Sequence, residues 1–264
     1  MSRTDEERNL SLPERHSRIL ALLQQSGSIS VAQLSERFRV SEVTIRKDLS
    51  YLEQQKKLYR THGSAILISP YISDRHVNEK EKKNVVEKQA IGAAAAALIA
   101  QNDSIIIASG TTMAFLAREI KPEGRLTVIT AAVPVTQILS QDPDIDVIQL
   151  GGITRTSSVS VVGPFAEQML RNFNCSKLFI GVDGVDPEFG LTTTNMLEAS
   201  LNRAMIEAAQ KVVVLADSSK FGRRGFSKIC DLESVDRIIT DSNIQPLYLE
   251  RLRERGIEVT VVDL

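Results

Sequence analysis

The sequence is poor in cysteine: two in 264 residues. Cys175 and Cys230 cannot make a disulfide framework and have no metal-ligand spacing, so they read as buried thiols in a reducing compartment. Long apolar runs are missing too. The longest, from Ala90 to Ala100, is 11 residues and includes Gly92, too short to span a bilayer. The opening Met1-Ser2-Arg3-Thr4-Asp5-Glu6-Glu7-Arg8 has no apolar core region and does not read as a signal peptide. Net charge is almost absent, at −1. These absences predict a cytoplasmic protein with no membrane partner, and no cofactor or metal site is expected.

What is present divides unevenly. Residues 1–70 hold 11 basic and 8 acidic side chains, while residues 71–264 hold 21 and 25. A basic head on an acidic body fits nucleic-acid contact by the head alone. The chain is long enough for one or two domains with a sizeable core. An apolar content of 42% and a charged content of 25% are ordinary for a globular protein.

The head centres on Ser41-Glu42-Val43-Thr44-Ile45-Arg46-Lys47-Asp48-Leu49. Ser41 is a good N-cap. Ile45, Leu49 and Leu52 recur at helical spacing and form one apolar stripe. With that stripe inward, Val43, Lys47 and Ser50 face outward, flanked by Thr44 and Arg46. Cations suit phosphate or guanine, hydroxyls suit either, and an apolar side chain suits the thymine methyl. The competing reading is a solvated amphipathic helix. Upstream, Pro13 suits a first helical turn and a helix ends near Ser26-Gly27. Ser30 then caps a second helix with Val31, Leu34 and Phe38 inward. Helix, short turn and capped helix with outward cations is the helix-turn-helix plan. The β-rich run from Leu58 to Ile68, broken at His62-Gly63, reads as a two-stranded wing. Lys56, Lys57 and Arg60 would lie near the phosphate backbone. His62 is a base contact or a turn residue.

After a linker at 71–83, residues 84–264 alternate strands and helices. Glu79 to Ala100 reads as one helix, with Lys80, Lys82 and Lys83 a solvated patch or a hinge. Apolar runs near Ser104, Leu126, Asp146, Lys177, Lys211, Val235 and Val259 predict a mostly parallel α/β sheet. Polar insertions sit just past the strand ends, where ligands bind in open α/β sheets. Ser109-Gly110-Thr111-Thr112 offers hydroxyls, a permissive glycine and a helix N-terminus suited to an anion; it lacks the lysine of a Walker loop. Gly151-Gly152-x-x-Arg155 and Lys220 offer flexible backbone and further positive charge. Asp183 and Asp186, bracketing Gly184, offer carboxylates to sugar hydroxyls or simply bond their own turn. Together these loops point to a small anionic polyol such as a sugar phosphate.

The head resembles the winged helix-turn-helix of the DeoR family of bacterial regulators. The resemblance rests on Arg15 with Ile19, the Ser41–Leu49 run, and Arg60-x-His62-Gly63-x-Ala65, with Ser64 where the family usually has a second glycine. The body resembles the same family's effector domain at Ser109–Thr112, Gly151-Gly152-x-x-Arg155, Gly181-Val182-Asp183, Gly190-x-x-Thr193 with Asn195 and Glu198, and Asp217-x-Ser219-Lys220-Phe221. Ala108 stands where the family often has Asp, so a carboxylate is missing beside the loop. Asn195 to Phe221 looks closest to regulators of amino-sugar catabolism of the N-acetylgalactosamine type. The resemblance implies a repressor of a sugar-catabolism operon, double-stranded operator DNA as one partner, and a phosphorylated sugar that releases it. A homodimer or homotetramer is expected, because one winged head offers limited contact area.

More distantly, the body resembles ribose-5-phosphate isomerase at Asp183-Gly184-Val185-Asp186 and Asp217-Ser218-Ser219-Lys220, which implies an isomerase-like fold. The alternative function is therefore an active sugar-phosphate isomerase with an appended DNA-binding head. That enzyme's lysine-bearing glycine loop and downstream glutamate are not matched. Residues 190–203 contain no lysine, an ungapped count puts Asn202 at the glutamate's place, and Glu198 lies nearby. The binding shell is kept while the chemistry is dismantled, so no catalytic residue is assigned.

Overall fold

The computed structural model describes residues 11–26, 28–55, 57–61, 64–67 and 77–264. They divide into two compact units, one from Met1–Tyr71 with Gly222–Arg224, the other from Ile72–Phe221 and Gly225–Leu264.

The first unit runs α1 (Leu12–Ser26), β1 (Ser28–Ser30), α2 (Val31–Phe38), α3 (Glu42–Gln54), β2 (Leu58–Thr61) and β3 (Ser64–Leu67). A capping box starts α2: the Ser30 hydroxyl accepts from the Gln33 N–H, and the Gln33 side chain accepts from the Ser30 N–H. Two orphan donors are thereby satisfied. The helix stops at Arg39, which is left-handed at φ 52 and returns its N–H to the Ser35 carbonyl. This turn delivers Ser41, whose hydroxyl accepts the Thr44 N–H at 3.2 Å and caps α3. Ile19, Leu34, Ile45, Leu49 and Leu52 meet in one core, with Leu58 from the wing. Strand β1 was not expected. It pairs antiparallel with β3, which pairs with β2. Three residues are too few to show an alternation, yet Ile29 sits opposite Ala65 in register and both are buried.

The single helix expected over Glu79–Ala100 is two, α4 (Val77–Glu81) and α5 (Val85–Ala96). Asn84 between them is left-handed at φ 51, a conformation that a right-handed helix does not continue through. Residues 77–83, expected as the end of the linker, therefore carry α4 and group with the second unit.

The chain continues through β4 (Ser104–Ile107), α6 (Thr111–Glu119), β5 (Leu126–Thr130), α7 (Val133–Leu139) and β6 (Ile145–Gln149). A small hairpin, β7 (Ile153–Arg155) and β8 (Ser160–Val162), leads to α8 (Pro164–Leu170) and β9 (Lys177–Gly181). Next come β10 (Gly184–Asp186), β11 (Gly190–Thr193), α9 (Met196–Glu207), β12 (Val212–Leu215) and β13 (Ser227–Cys230). The chain closes with β14 (Arg237–Asp241), α10 (Pro246–Glu254) and β15 (Glu258–Val262). Seven strands form the main sheet in the order β15-β14-β12-β9-β4-β5-β6, and every pairing in it is parallel. Its strands are apolar on both faces, as burial beneath two layers requires. Ile106, Ile129, Ile180 and Val214 face one core; Ile105, Ile107, Val128 and Phe179 face the other. Three strands outside this sheet, β10, β11 and β13, make a separate antiparallel sheet.

Strand order reverses at β4. From there the chain winds to β5 and β6 on one side, then returns to β9 on the other and winds outward. The carboxyl ends of β4 and β9 are therefore the topological switch point, where a doubly wound sheet opens a crevice. Asp186, offered above as a possible sugar contact, lies elsewhere. It is fully buried and accepts the N–H groups of Glu188 and Phe189, so it closes its own turn. Both cysteines are free, Cys175 buried and Cys230 half-buried. Burial pushes the Cys230 thiol up to about 11, far from a reactive thiolate. Among the described residues no helix is long and apolar enough to cross a membrane.

Candidate functional site

Helix α3 presents its outer face to solvent. Val43 is 59% exposed, Arg46 and Lys47 are exposed, and Thr44 and Ser50 are half-buried. Ser41 and Thr44 also bond each other through their hydroxyls at 2.9 Å. Arg46 donates to Glu42 at 2.6 Å with both side chains largely in solvent. Such a pair is worth only about 0.5 kcal/mol, too little to withhold the guanidinium from a stronger acceptor. Arg60 on β2 donates to the Ser50 hydroxyl at 2.7 Å, and its backbone N–H donates to Glu53 at 2.9 Å. The wing and α3 thus present Arg60 and Ser50 together. Lys57 is exposed. Lys56, His62 and Gly63 lie outside the described residues.

The inner face holds a group the sequence reading left without a role. Asp48 is 3% exposed and accepts from Arg15 Nε at 2.6 Å and Nη2 at 3.1 Å. His16 Nε2 lies 3.2 Å from the same carboxylate, and its ring stacks on Tyr51. A bidentate arginine–carboxylate pair of this kind is geometrically specific, so it fixes the direction of α3 against α1. The signal was available: Asp48 falls on the Ile45–Leu49–Leu52 stripe, where an acid needs a partner.

In the second unit, the switch point gathers residues from five strand ends, those of β4, β7, β9, β11 and β12. After β4, Gly110 takes φ +129 with open space where a Cβ would stand, a backbone state that favours glycine. It begins α6, whose N-terminus carries no side-chain cap, so the first N–H groups remain suited to an anion. Ser109, Thr111 and Thr112 are buried beside it. Glu198, in the first turn of α9, is the convergence point. It accepts from Ser109 Oγ at 2.9 Å, Arg155 Nη1 at 3.0 Å and Thr193 Oγ1 at 3.1 Å. Thr193 also lies 3.2 Å from Asp183 Oδ2, bridging the two carboxylates. Lys80 donates to Asp183 Oδ1 at 2.9 Å, and Lys220 Nζ stands 4.0 Å from the same oxygen. Burial alone would raise the Asp183 pKa; the charges of Lys80 and Lys220 outweigh it and hold the carboxyl below its usual value.

Of the ten body residues singled out in the sequence, Ser109, Arg155, Asp183, Thr193, Glu198 and Lys220 form this one network, with Gly110, Thr111 and Thr112 at its edge. Gly152 plays a different part. A Cβ there would come within 2.8 Å of the Val162 carbonyl oxygen and the Val161 side chain, so its bareness lets the β7 hairpin close. Lys80, expected as a solvated cation or a hinge, is half-buried rather than solvated and is a member of the network. Asn84 donates to Asp217 Oδ1 at 2.9 Å and lies 3.3 Å from Ser219 Oγ. Neither could be read from spacing, because their partners lie more than 100 residues away. Among the described residues no group of His, Cys, Asp and Glu could hold a metal ion. Asn202, at the place counted for the isomerase's glutamate, is buried in α9.

A winged helix-turn-helix unit, joined to an α/β unit with a mixed-charge crevice at its switch point, defines a ligand-responsive DNA-binding regulator. Comparison with known proteins makes this specific. The chain belongs to the DeoR family of transcriptional regulators: residues 15–71 match the DeoR-like helix-turn-helix domain, and residues 83–242 match the DeoR C terminal sensor domain. It is 38% identical to a protein of Escherichia coli O157:H7 named as an aga operon transcriptional repressor, over 99% of both chains. It is 33% identical to the lactose phosphotransferase system repressor of Lactococcus lactis subsp. lactis, over 91% of this chain and 95% of that one. Both are named as repressors, not as enzymes. A ribose 5-phosphate isomerase structure from Methanocaldococcus jannaschii aligns over 55% of each chain at 18% identity, with a TM-score of 0.37.

Proposed function

We propose that this regulator represses a sugar-catabolism operon and leaves its operator when a phosphorylated sugar enters the switch-point crevice. The observation that carries the reading is the paired-carboxylate network of Asp183 and Glu198 beside the uncapped N-terminus of α6. A phosphate suits the N–H groups at Gly110–Thr112 with Lys220 as counter-charge. Sugar hydroxyls suit Asp183, Glu198, Ser109 and Thr193, which can exchange their mutual hydrogen bonds for bonds to a polyol. Arg155 orients Glu198. The related lactose phosphotransferase repressor serves a sugar system, which supports a carbohydrate effector.

On DNA, α3 lies in the major groove. Arg46, Val43 and Thr44 face base edges, with His62 as a further base contact, while Lys47, Ser50, Lys56, Lys57 and Arg60 meet phosphate and Ser41 holds the helix start. The protein acts as a homodimer or homotetramer, since a single head buries too little surface for tight operator binding. The test is a thermal-shift series on the full chain with hexose 6-phosphates, amino-hexose 6-phosphates and the unphosphorylated sugars. Stabilisation by one phosphorylated sugar and not by its free parent is expected. Equal response to both, or to neither, would remove the phosphate from the proposal.

A further inference from the structure

The switch point is covered by a piece of chain that follows the head in sequence. Helix α4 starts at Val77, ten residues after the last wing residue, Leu67. Several attachments hold α4 and the turn after it on the second unit, among them the Val77 N–H donating to the Ser157 carbonyl at 2.7 Å and Arg118 donating to Glu81 at 2.9 Å. Lys80 donates to Asp183 at 2.9 Å. Asn84, left-handed, donates to Asp217 at 2.9 Å and reaches Ser219. The ammonium of Lys88, 4% exposed, donates to the carbonyls of Lys80 and Lys83. The Lys80 carbonyl also accepts the Lys83 N–H at 3.3 Å, while the Lys83 carbonyl lies past the end of a short helix, where carbonyls lack a helical partner, so Lys88 pins the turn.

Resting on the effector reading above, we propose that α4 is the coupling element: Lys80 senses whether the crevice is filled, and the pinned turn Lys80–Lys88 carries that information to the chain entering from the head. Lys80 has what a coupling residue needs, a partner whose surroundings change with occupancy. Its charge is matched by Asp183 at 2.9 Å. A phosphate seated near Lys220 brings further negative charge into the same neighbourhood, and a sugar hydroxyl bonded to Asp183 takes up part of that carboxylate. Either changes the free energy of Lys80 where it stands, which is the differential interaction that an effector must supply. Lys80 belongs to α4 and its own carbonyl is held by Lys88, so a change at its ammonium acts on the segment that follows the head in sequence. Lys80 is thus a positioning residue and not a holder of the sugar.

The test measures ligand binding and ligand effect separately on the full-length protein. Calorimetry gives the affinity for a hexose 6-phosphate found active in the thermal-shift series. Fluorescence anisotropy gives operator affinity with and without that sugar at saturation. For the unsubstituted protein a loss of roughly tenfold or more in operator affinity is expected, a typical coupling. For Lys80→Met, calorimetric binding should persist while the loss shrinks to less than about threefold, and Lys80→Arg should restore most of it. An undiminished loss in Lys80→Met, or abolished sugar binding, overturns the proposal. A second arm needs no sugar. By reciprocity, operator DNA must alter the same element, so amide exchange at residues 77–88 should change when DNA binds. Unchanged exchange there refutes the coupling role even if no sugar in the series binds. A series with no active sugar, accompanied by changed exchange, would refute the effector reading alone.

Discussion

Arg15 and Asp48, 33 residues apart, form a two-pronged ion pair at 2.6 and 3.1 Å that ties the first helix to the third. Asp48 is nearly fully buried, so loss of Arg15 would strand a carboxylate in the core. Breaking such a pair from one side costs about 3–5 kcal/mol. Arg15→Ala should therefore lower the stability of the first unit by several kcal/mol and weaken operator binding, while sugar-phosphate stabilisation of the second unit persists. Chemical denaturation followed by intrinsic fluorescence and by operator anisotropy checks this. Full operator binding by Arg15→Ala at 37 °C would contradict it.

Arg46 and Lys47 sit side by side on α3 but are assigned different work. A base-reading arginine costs about 1–3 kcal/mol when removed and relaxes specificity at one position, whereas a phosphate-bound lysine weakens binding to all sequences. Arg46→Ala should flatten the preference for operator over scrambled DNA. Lys47→Ala should leave the preference intact and reduce the slope of log affinity against log salt by about one. Anisotropy at several salt concentrations separates the two, and the reverse pattern would exchange the assignments.

Glu198 offers a sharper probe of the crevice than removal of any one donor. Ser109, Arg155 and Thr193 all donate to it, so Glu198→Ala removes the acceptor of Ser109 and leaves Arg155 with Ser158 and Thr193 with Asp183. Unsatisfied buried groups cost about 1–3 kcal/mol each. The expected outcome is a lowered melting temperature together with a loss of sugar-phosphate affinity of at least tenfold. Unchanged affinity by calorimetry would place the sugar elsewhere.

Lys88 makes a pH signature. Burial lowers its pKa to about 8, against the pull of Asp217, with Lys220, Glu81 and Glu87 also acting on it. In the unfolded chain a lysine holds its proton to about 10.4. Between those values the unfolded state binds more protons, so this residue's contribution to stability rises with pH. The penalty for its buried charge is present in full below pH 8 and is relieved above. The melting temperature of the protein minus that of Lys88→Met should increase from pH 7 to pH 9.5. A difference that stays level or falls would contradict the burial of a charged Lys88.

Much of this architecture was legible from the chain. Ser30 and Ser41 announce α2 and α3 because capping is a local event. The runs at Leu126–Thr130 and Lys177–Gly181 announce strands because a sheet covered on both faces needs unbroken apolar stretches. The loops after β4, β9 and β12 were recognisable as meeting at one sheet edge because their polar residues follow such strands. Hidden were the features made by distant partners. Nothing near Lys80 tells that Asp183 neutralises it, and nothing near Asn84 tells that Asp217 draws the chain into a left-handed turn. The alanine-rich run after it favours a continuous helix, and a tertiary contact overrides that propensity. The β10–β11–β13 sheet was hidden because its strands are three or four residues long, below the length at which alternation can be seen.

In the proposed function a phosphorylated sugar is sensed by the second unit and the head responds on DNA without any chemical turnover. The most direct measurement is an operator-release titration of the full-length protein with a sugar phosphate, run beside the dephosphorylated sugar, while the sugar is recovered and analysed for aldose–ketose conversion. Release by the phosphorylated form alone, with the sugar recovered unchanged, is the predicted result. Conversion of the sugar that disappears in Asp183→Ala, or release that ignores the phosphate, would contradict the account.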